Sequence, residues 1–224
     1  YDLTLLGADN DQITIFSPSG QRGAVNHVRI VSDGKDGEAV LETVVSSAKS
    51  GGLSRRHEYR LEDGWQGVLI VTTITNEGED AVKVPLADRW SPTRTKGSFY
   101  GVHWSDAIDP ADKAGYAHAW VDEAGAMLPD EAEMELAPAA SVTVARFLAV
   151  GASPAEAAGV IEARRSDGTV GTLKVVLKEE KDGAAPARGR VVIATPPNKS
   201  IPAYPDAKGA FTVNLPAGDY TLTV

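Results

Sequence analysis

Apolar side chains recur at every second position along most of this chain, and that period commits it to half-buried β-strands. The strongest instance is "GVLIVTTITNEGED" (67–80), where Val68 to Ile74 is rich in β-branched residues. It ends in Asn76-Glu77-Gly78, a turn sequence. "DAVKVPLADRW" restarts at once, so 67–90 is expected to form one long antiparallel hairpin. The same alternation pairs Ile13 with Ile15 and Val28 with Ile30, and it runs through Val40, Val44 and Val45. In "SRRHEYRLED" charge alternates with Tyr59 and Leu61. "GSFYGVHWSD", "GYAHAWVDEAG" and "AEMELAPAASVTVARFLAVG" read as further strands, with turns about Asp109-Pro110, Gly115 and Gly125. Twenty-two Gly and thirteen Pro supply the turns that so many strands need.

One segment breaks the period. In "SPAEAAGVIEARRSDG", Ser153 stands at an N-cap, Pro154 at the first helical position, and Glu156 three residues after the serine completes a capping box. Ala157, Val160, Ile161 and Arg164 share one face. Arg164 and Arg165 fall in the last turn, where positive charge suits the helix dipole. The spacing predicts a helix over 154–165. Beyond it come shorter strands and Pro-rich loops, with "ATPPNKSIPAYP" expected to be an extended loop. The fold class is therefore all-β, in two domains: a large antiparallel sandwich over 1–168 closed by the helix, and a small sandwich over 169–224.

Composition excludes several roles. The formal charge is −9, with 31 acidic residues against 22 basic ones, which argues against a nucleic-acid partner because phosphate contacts need a basic face. No Cys is present, so thiol nucleophiles and thiolate metal sites are ruled out. No apolar run is long enough to span a bilayer. The first residue is Tyr1 rather than Met, no basic n-region precedes an apolar core, and the last residues stop on a strand. The expectation is a piece of a longer polypeptide.

The final stretch, "DAKGAFTVNLPAGDYTLTV" (206–224), combines an acidic turn and Gly209, a strand with Phe211, Val213 and Leu215 inward, "LPAG", and a strand with Tyr220, Leu222 and Val224 inward. That pattern, with "GRVVIATPP" (189–197) as a central strand, resembles the carboxypeptidase regulatory-like domain, a transthyretin-like sandwich of about seven strands. The resemblance covers about 169–224 and implies a non-catalytic accessory module on a larger, often exported, protein. "HEYRLEDGWQGVLIVTTITNEGEDAVKVPLADRW" (57–90) is similar to the galactose-mutarotase-like supersandwich. "RFLAVGASPAEAAGVI" (146–161) resembles a segment ahead of some bacterial PHP-type metallohydrolases. Together these imply an accessory region placed before a metal-dependent hydrolase domain, with an extracytoplasmic location and a glycan or an adjacent domain of the same polypeptide as partner. The histidine acid and carboxylate base of an aldose epimerase, and the His-x-His metal motif of a PHP domain, find no match here.

The most site-like stretch is "DRWSPTRTKGSFYGVHWSD" (88–106). Aromatic faces beside carboxylates are what a sugar-binding surface uses, and the candidate binding residues are Asp88, Trp90, Tyr100, His103, Trp104 and Asp106. The structural alternative is that Trp90 and Trp104 fill the sandwich core. A mutarotase-like enzyme or glycan-binding module working in 88–122 is the competing functional reading. Its acid–base pairs would come from His103 or His118 with Asp88, Asp106 or Asp122. The spacing of His103, Asp106 and Asp109 matches no closed metal motif, and the spaced Asp residues of 7–12 and 32–40 do not fit a Ca²⁺ loop. No P-loop, dinucleotide fingerprint or Gly-x-Ser-x-Gly elbow is present. No metal, cofactor or catalytic residue is assigned.

Overall fold

The computed structural model describes residues 4–6, 12–14, 25–45, 52–85, 89–91, 95–106, 114–121, 133–165, 170–186, 189–197 and 199–224. Strand accounts for 60% and helix for 7%, so the all-β class holds. The largest sheet is antiparallel and has eight strands. The chain divides into two compact units: Tyr1–Pro92 with Trp120–Leu148, and Thr93–Ala119 with Ala149–Val224.

In the first unit, β1 (Thr4–Leu6), β2 (Gln12–Thr14) and β8 (Arg89–Ser91) form a three-stranded sheet. The strands β3 (Val25–Asp33), β4 (Ala39–Val45), β5 (Leu53–Leu61), β6 (Gly67–Asn76) and β13 (Ser141–Gly151) are successive neighbours in the large sheet. Period-two alternation holds on β5 from Leu53 to Arg60 and along most of β6, whereas Leu61, expected to alternate inward with Tyr59, is exposed at the end of β5. Leu53, Arg55, His57 and Tyr59, then Ile70, Thr72, Ile74 and Asn76, point to the buried inner face. On the outer face a ladder of opposite charges crosses three strands. The Glu42 carboxylate lies 2.7 Å from Arg29 and 2.6 Å from Arg56, and Glu58 lies 2.6 Å from both Arg56 and Arg60.

The expected 67–90 hairpin does not form. β7 (Val82–Pro85) leaves the sheet and pairs instead with β12 (Glu133–Leu136), with Met134 opposite Val84. Asn76 is the cause. Its backbone N–H donates to Ala140 O at 2.9 Å and its C=O accepts from Ala139 N at 2.9 Å. Its side-chain amide donates to Asp80 O (2.8 Å) and Leu136 O (3.0 Å), while Oδ1 accepts from Gly78 N (3.0 Å). Five hydrogen bonds at one buried residue turn the chain out of the sheet and hold it against the β12–β13 connection.

In the second unit, β9 (Lys96–Phe99), β10 (Val102–Asp106) and β11 (Gly115–Val121) are successive neighbours, the first two joined by a Tyr100-Gly101 turn with φ of 51° and 80°. The helix α1 (Pro154–Arg164) begins where the sequence places it, with Ser153 Oγ accepting from Glu156 N at 3.2 Å. Glu156 reaches back to Ala152 N (2.7 Å), one residue before the cap. The shared face expected of α1 is broader than a stripe. Ala157 and Ile161 are buried, yet so are Ala155, Ala158 and Gly159, while Val160 is half-buried and Arg164 exposed. Small side chains allow this: a Cβ on Gly159 would stand 2.9 Å from Asn214 N, so strand backbone lies directly on the helix.

The remaining strands form two small sheets. β14 (Val170–Val176) pairs with β17 (Ala210–Pro216), and β15 (Val191–Thr195) lies between β16 (Lys199–Ala203) and β18 (Thr221–Thr223). The stretch expected to be an extended loop thus contains a strand, β16. Pro202 is tolerated there because β16 is an edge strand. Val213 and Leu215 are buried as expected and Phe211 is half-buried. Leu222 and Val224 are exposed, against expectation: Leu222 because β18 is also an edge strand, with β15 as its neighbour, and Val224 because it lies beyond the end of β18.

Candidate functional site

The residues singled out in 88–106 have separate fates. Asp88 lies outside the described residues, and of Trp90 only the backbone is described, on β8 opposite Ile13. The other four belong to the second unit: Tyr100 in the β9–β10 turn, and His103, Trp104 and Asp106 on β10, which distributes them by parity. Val102, Trp104 and Asp106 point to one face and His103 and Ser105 to the other.

On the first face Trp104 is core, 6% exposed. Its ring lies flat against Gly97, where a Cβ would come within 2.7 Å of Cζ2. Asp106, half-buried, accepts a 2.7 Å hydrogen bond from the Tyr204 hydroxyl. Burial raises its pKa above the usual carboxylate value, against the opposing pulls of the Tyr204 bond and the Arg190 charge. The Tyr204 hydroxyl is raised in turn, by burial first and then by its bond to Asp106. On the second face His103 stacks on His118, its cross-strand partner, with centroids 4.9 Å apart and planes 19° from parallel. Tyr100 caps the β9–β10 turn. Its ring meets Phe99 edge-on at 4.9 Å, and its hydroxyl lies 3.3 Å from Thr195 Oγ1. His103 and Asp106 therefore do not face one another: each is taken up by a different neighbour.

A second constellation, in the first unit, escaped sequence reasoning. Arg55, His57 and Tyr59 project from β5, Thr72 from β6 opposite His57, Arg146 from β13, and Trp120 from the part of β11 that belongs to this unit. All are buried, at 0–7% exposure. Arg146 Nη1 donates to Thr72 Oγ1 at 3.0 Å, and Thr72 Oγ1 lies 2.9 Å from His57 Nδ1. Thr72 Oγ1 thus joins the arginine to the imidazole, and the direction of its bond to Nδ1 follows the imidazole tautomer. The Arg146 guanidinium also covers the Trp120 ring, 4.3 Å from its centroid. Burial pushes the His57 pKa down to about 3, and the charges of Arg146 and Arg55 add to the effect. At neutral pH this is a neutral imidazole between two cations. A usable signal was present in "SRRHEYRLED": the strand phase that turns Tyr59 inward also turns Arg55 and His57 inward. Among the described residues no group of three or more His, Asp or Glu is arranged to hold a metal ion.

No family model and no curated protein matches the chain. Two solved structures are similar in outline. One is a heparinase III, with a TM-score of 0.35 and 5% identity, covering 87% of this chain and 28% of its own. The other is a polysaccharide lyase, with a TM-score of 0.39 and 10% identity, covering 95% and 42%. The chain spans less than half the length of either.

Proposed function

We propose that this chain is a non-catalytic, glycan-contacting accessory region of a larger extracytoplasmic protein whose catalytic centre lies in another domain. The observation that carries the reading is the parity of β10. General acid–base work on a sugar needs a histidine and a carboxylate within reach of the same oxygen atoms. His103 and Asp106 are three residues apart on one strand and point to opposite faces, one stacked on His118 and the other bonded by Tyr204. His57, held near pKa 3, is poorly matched to proton transfer at neutral pH. Arg55, Arg146, Thr72, Tyr59 and Trp120 around it are groups that recognise rather than transform: guanidinium forks, hydroxyls and aromatic faces.

The test is to incubate the chain with a panel of neutral and acidic oligosaccharides, following binding by calorimetry and glycan length by chromatography. Saturable binding with unchanged glycan length is expected. Cleavage or epimerisation at an enzymatic rate, or silence across the panel, overturns the reading.

A further inference from the structure

We propose that the outer edge of β3 is a docking site for a short extended segment of a partner polypeptide in which acidic and apolar side chains alternate. β3 ends the eight-stranded sheet, and among the described residues β4 is its one neighbour. An end strand presents a row of backbone N–H and C=O groups with which a further strand can pair. Val28, Ile30 and Val31 on it are 58%, 72% and 54% exposed. The rows they end are buried further in: Val28 leads to Thr43, His57 and Thr72, and Ile30 leads through Leu41 to Tyr59 and Ile70. The register of β3 on β4 shifts between Val25 and His27 and again between Ile30 and Ser32. Regular pairing is therefore confined to 27–30, which suits a short segment and works against long, indiscriminate pairing.

Charge selects the partner. Within that run His27 and Arg29 align with Val44 and Glu42 on the outer face, and Val28 and Ile30 with Thr43 and Leu41 on the inner one. From the edge inward the outer face reads cation, anion, cation: Arg29, Glu42, Arg56. The Arg29 side chain is 54% exposed and that of Glu42 only 4%. A strand added outside β3 continues the alternation by setting a carboxylate against Arg29, and it extends the apolar rows by setting apolar side chains against Val28 and Ile30. Its backbone bonds supply affinity and its alternate side chains specificity. A second copy of β3 does not meet this need. Antiparallel pairing keeps each face continuous, so the basic side chains His27 and Arg29 of one copy would oppose those of the other.

The experiment titrates the whole chain with three synthetic peptides of equal length, in which valine alternates with glutamate, with lysine or with serine. Binding is followed by fluorescence anisotropy and mapped by amide chemical shifts. The glutamate peptide should bind saturably, about fivefold or more tighter than the lysine peptide, with the serine peptide between them. Its shift changes should centre on 27–30. Added salt should weaken the glutamate peptide and leave the serine peptide unchanged. Arg29→Glu should reverse the order of the glutamate and lysine peptides. The salt dependence and the shift map of the wild type keep the test decisive if that variant fails to fold. Silence of all three peptides, equal binding of all three, shift changes away from β3, or self-association of the chain through β3 overturns the proposal.

Discussion

Replacing His57 by Gln isolates one buried proton site from the many carboxylates that titrate over the same range. The imidazole pKa falls from an ordinary 6.5 to about 3 on folding, through burial first and the Arg146 and Arg55 charges second. The folded state therefore binds fewer protons than the unfolded one between these values, and stability must fall as pH falls. The sign is fixed: stability is full above about pH 6.5 and is lost progressively toward pH 3. Each pH unit is worth about 1.4 kcal/mol, so the full span of roughly 3.5 units is about 5 kcal/mol. Between about pH 7 and about pH 4.5 the share is about 2.5 kcal/mol. Urea unfolding of wild type and His57→Gln at both pH values reads this directly, because the other titrations cancel in the difference. The wild type should lose about 2.5 kcal/mol more than the variant. Parallel losses would show that His57 is not held neutral by its surroundings and would refute the reasoning.

Other outcomes follow from equally local geometry. Asn76→Ala removes three side-chain hydrogen bonds at a buried turn and should cost about 2–3 kcal/mol in urea unfolding. Asn76→Asp should cost more at neutral pH, since its carboxylate would face the carbonyls of Asp80 and Leu136. Gly115→Ala would put a Cβ against the backbone of Ser153 and Pro154, and a loss of about 1–3 kcal/mol is expected by thermal unfolding. Tyr204→Phe strips Asp106 of the hydrogen bond that opposes its raised pKa. Its carboxyl should titrate at still higher pH by NMR, and stability should fall as pH rises through that value.

Most strands of the large sheet were legible because one face of each is buried and the other is not, which is what a period of two records; the edge strand β3 is exposed on both faces. β5 is the clearest case. The cap of α1 was legible because it is local: Ser153 and Glu156 act within one turn. What failed was non-local. Nothing in 67–90 announces that Asn76 will bond across to Leu136, sixty residues on, and that bond is what turns the expected hairpin aside. β16 was hidden by Pro202 and the prolines that flank the strand, which an edge strand tolerates, and the exposure of Leu222, in register with the buried Ile193, by its position on another edge. The inner-face constellation was invisible as a motif because its members come from 55, 57, 59, 72, 120 and 146, and only the sheet register brings them together. The sequence reading offered His103 and Asp106 as an acid–base pair, and strand parity corrects it, since three residues along a strand means opposite faces.

The most direct measurement is a map of amide chemical-shift changes in the isotopically labelled chain on saturation with the tightest-binding oligosaccharide. Changes centred on Arg55 to Tyr59, Thr72 and Arg146 are predicted. Changes confined to Tyr100, His103, Trp104 and Asp106 would contradict the account and return the binding surface to the aromatic stretch on β9 and β10.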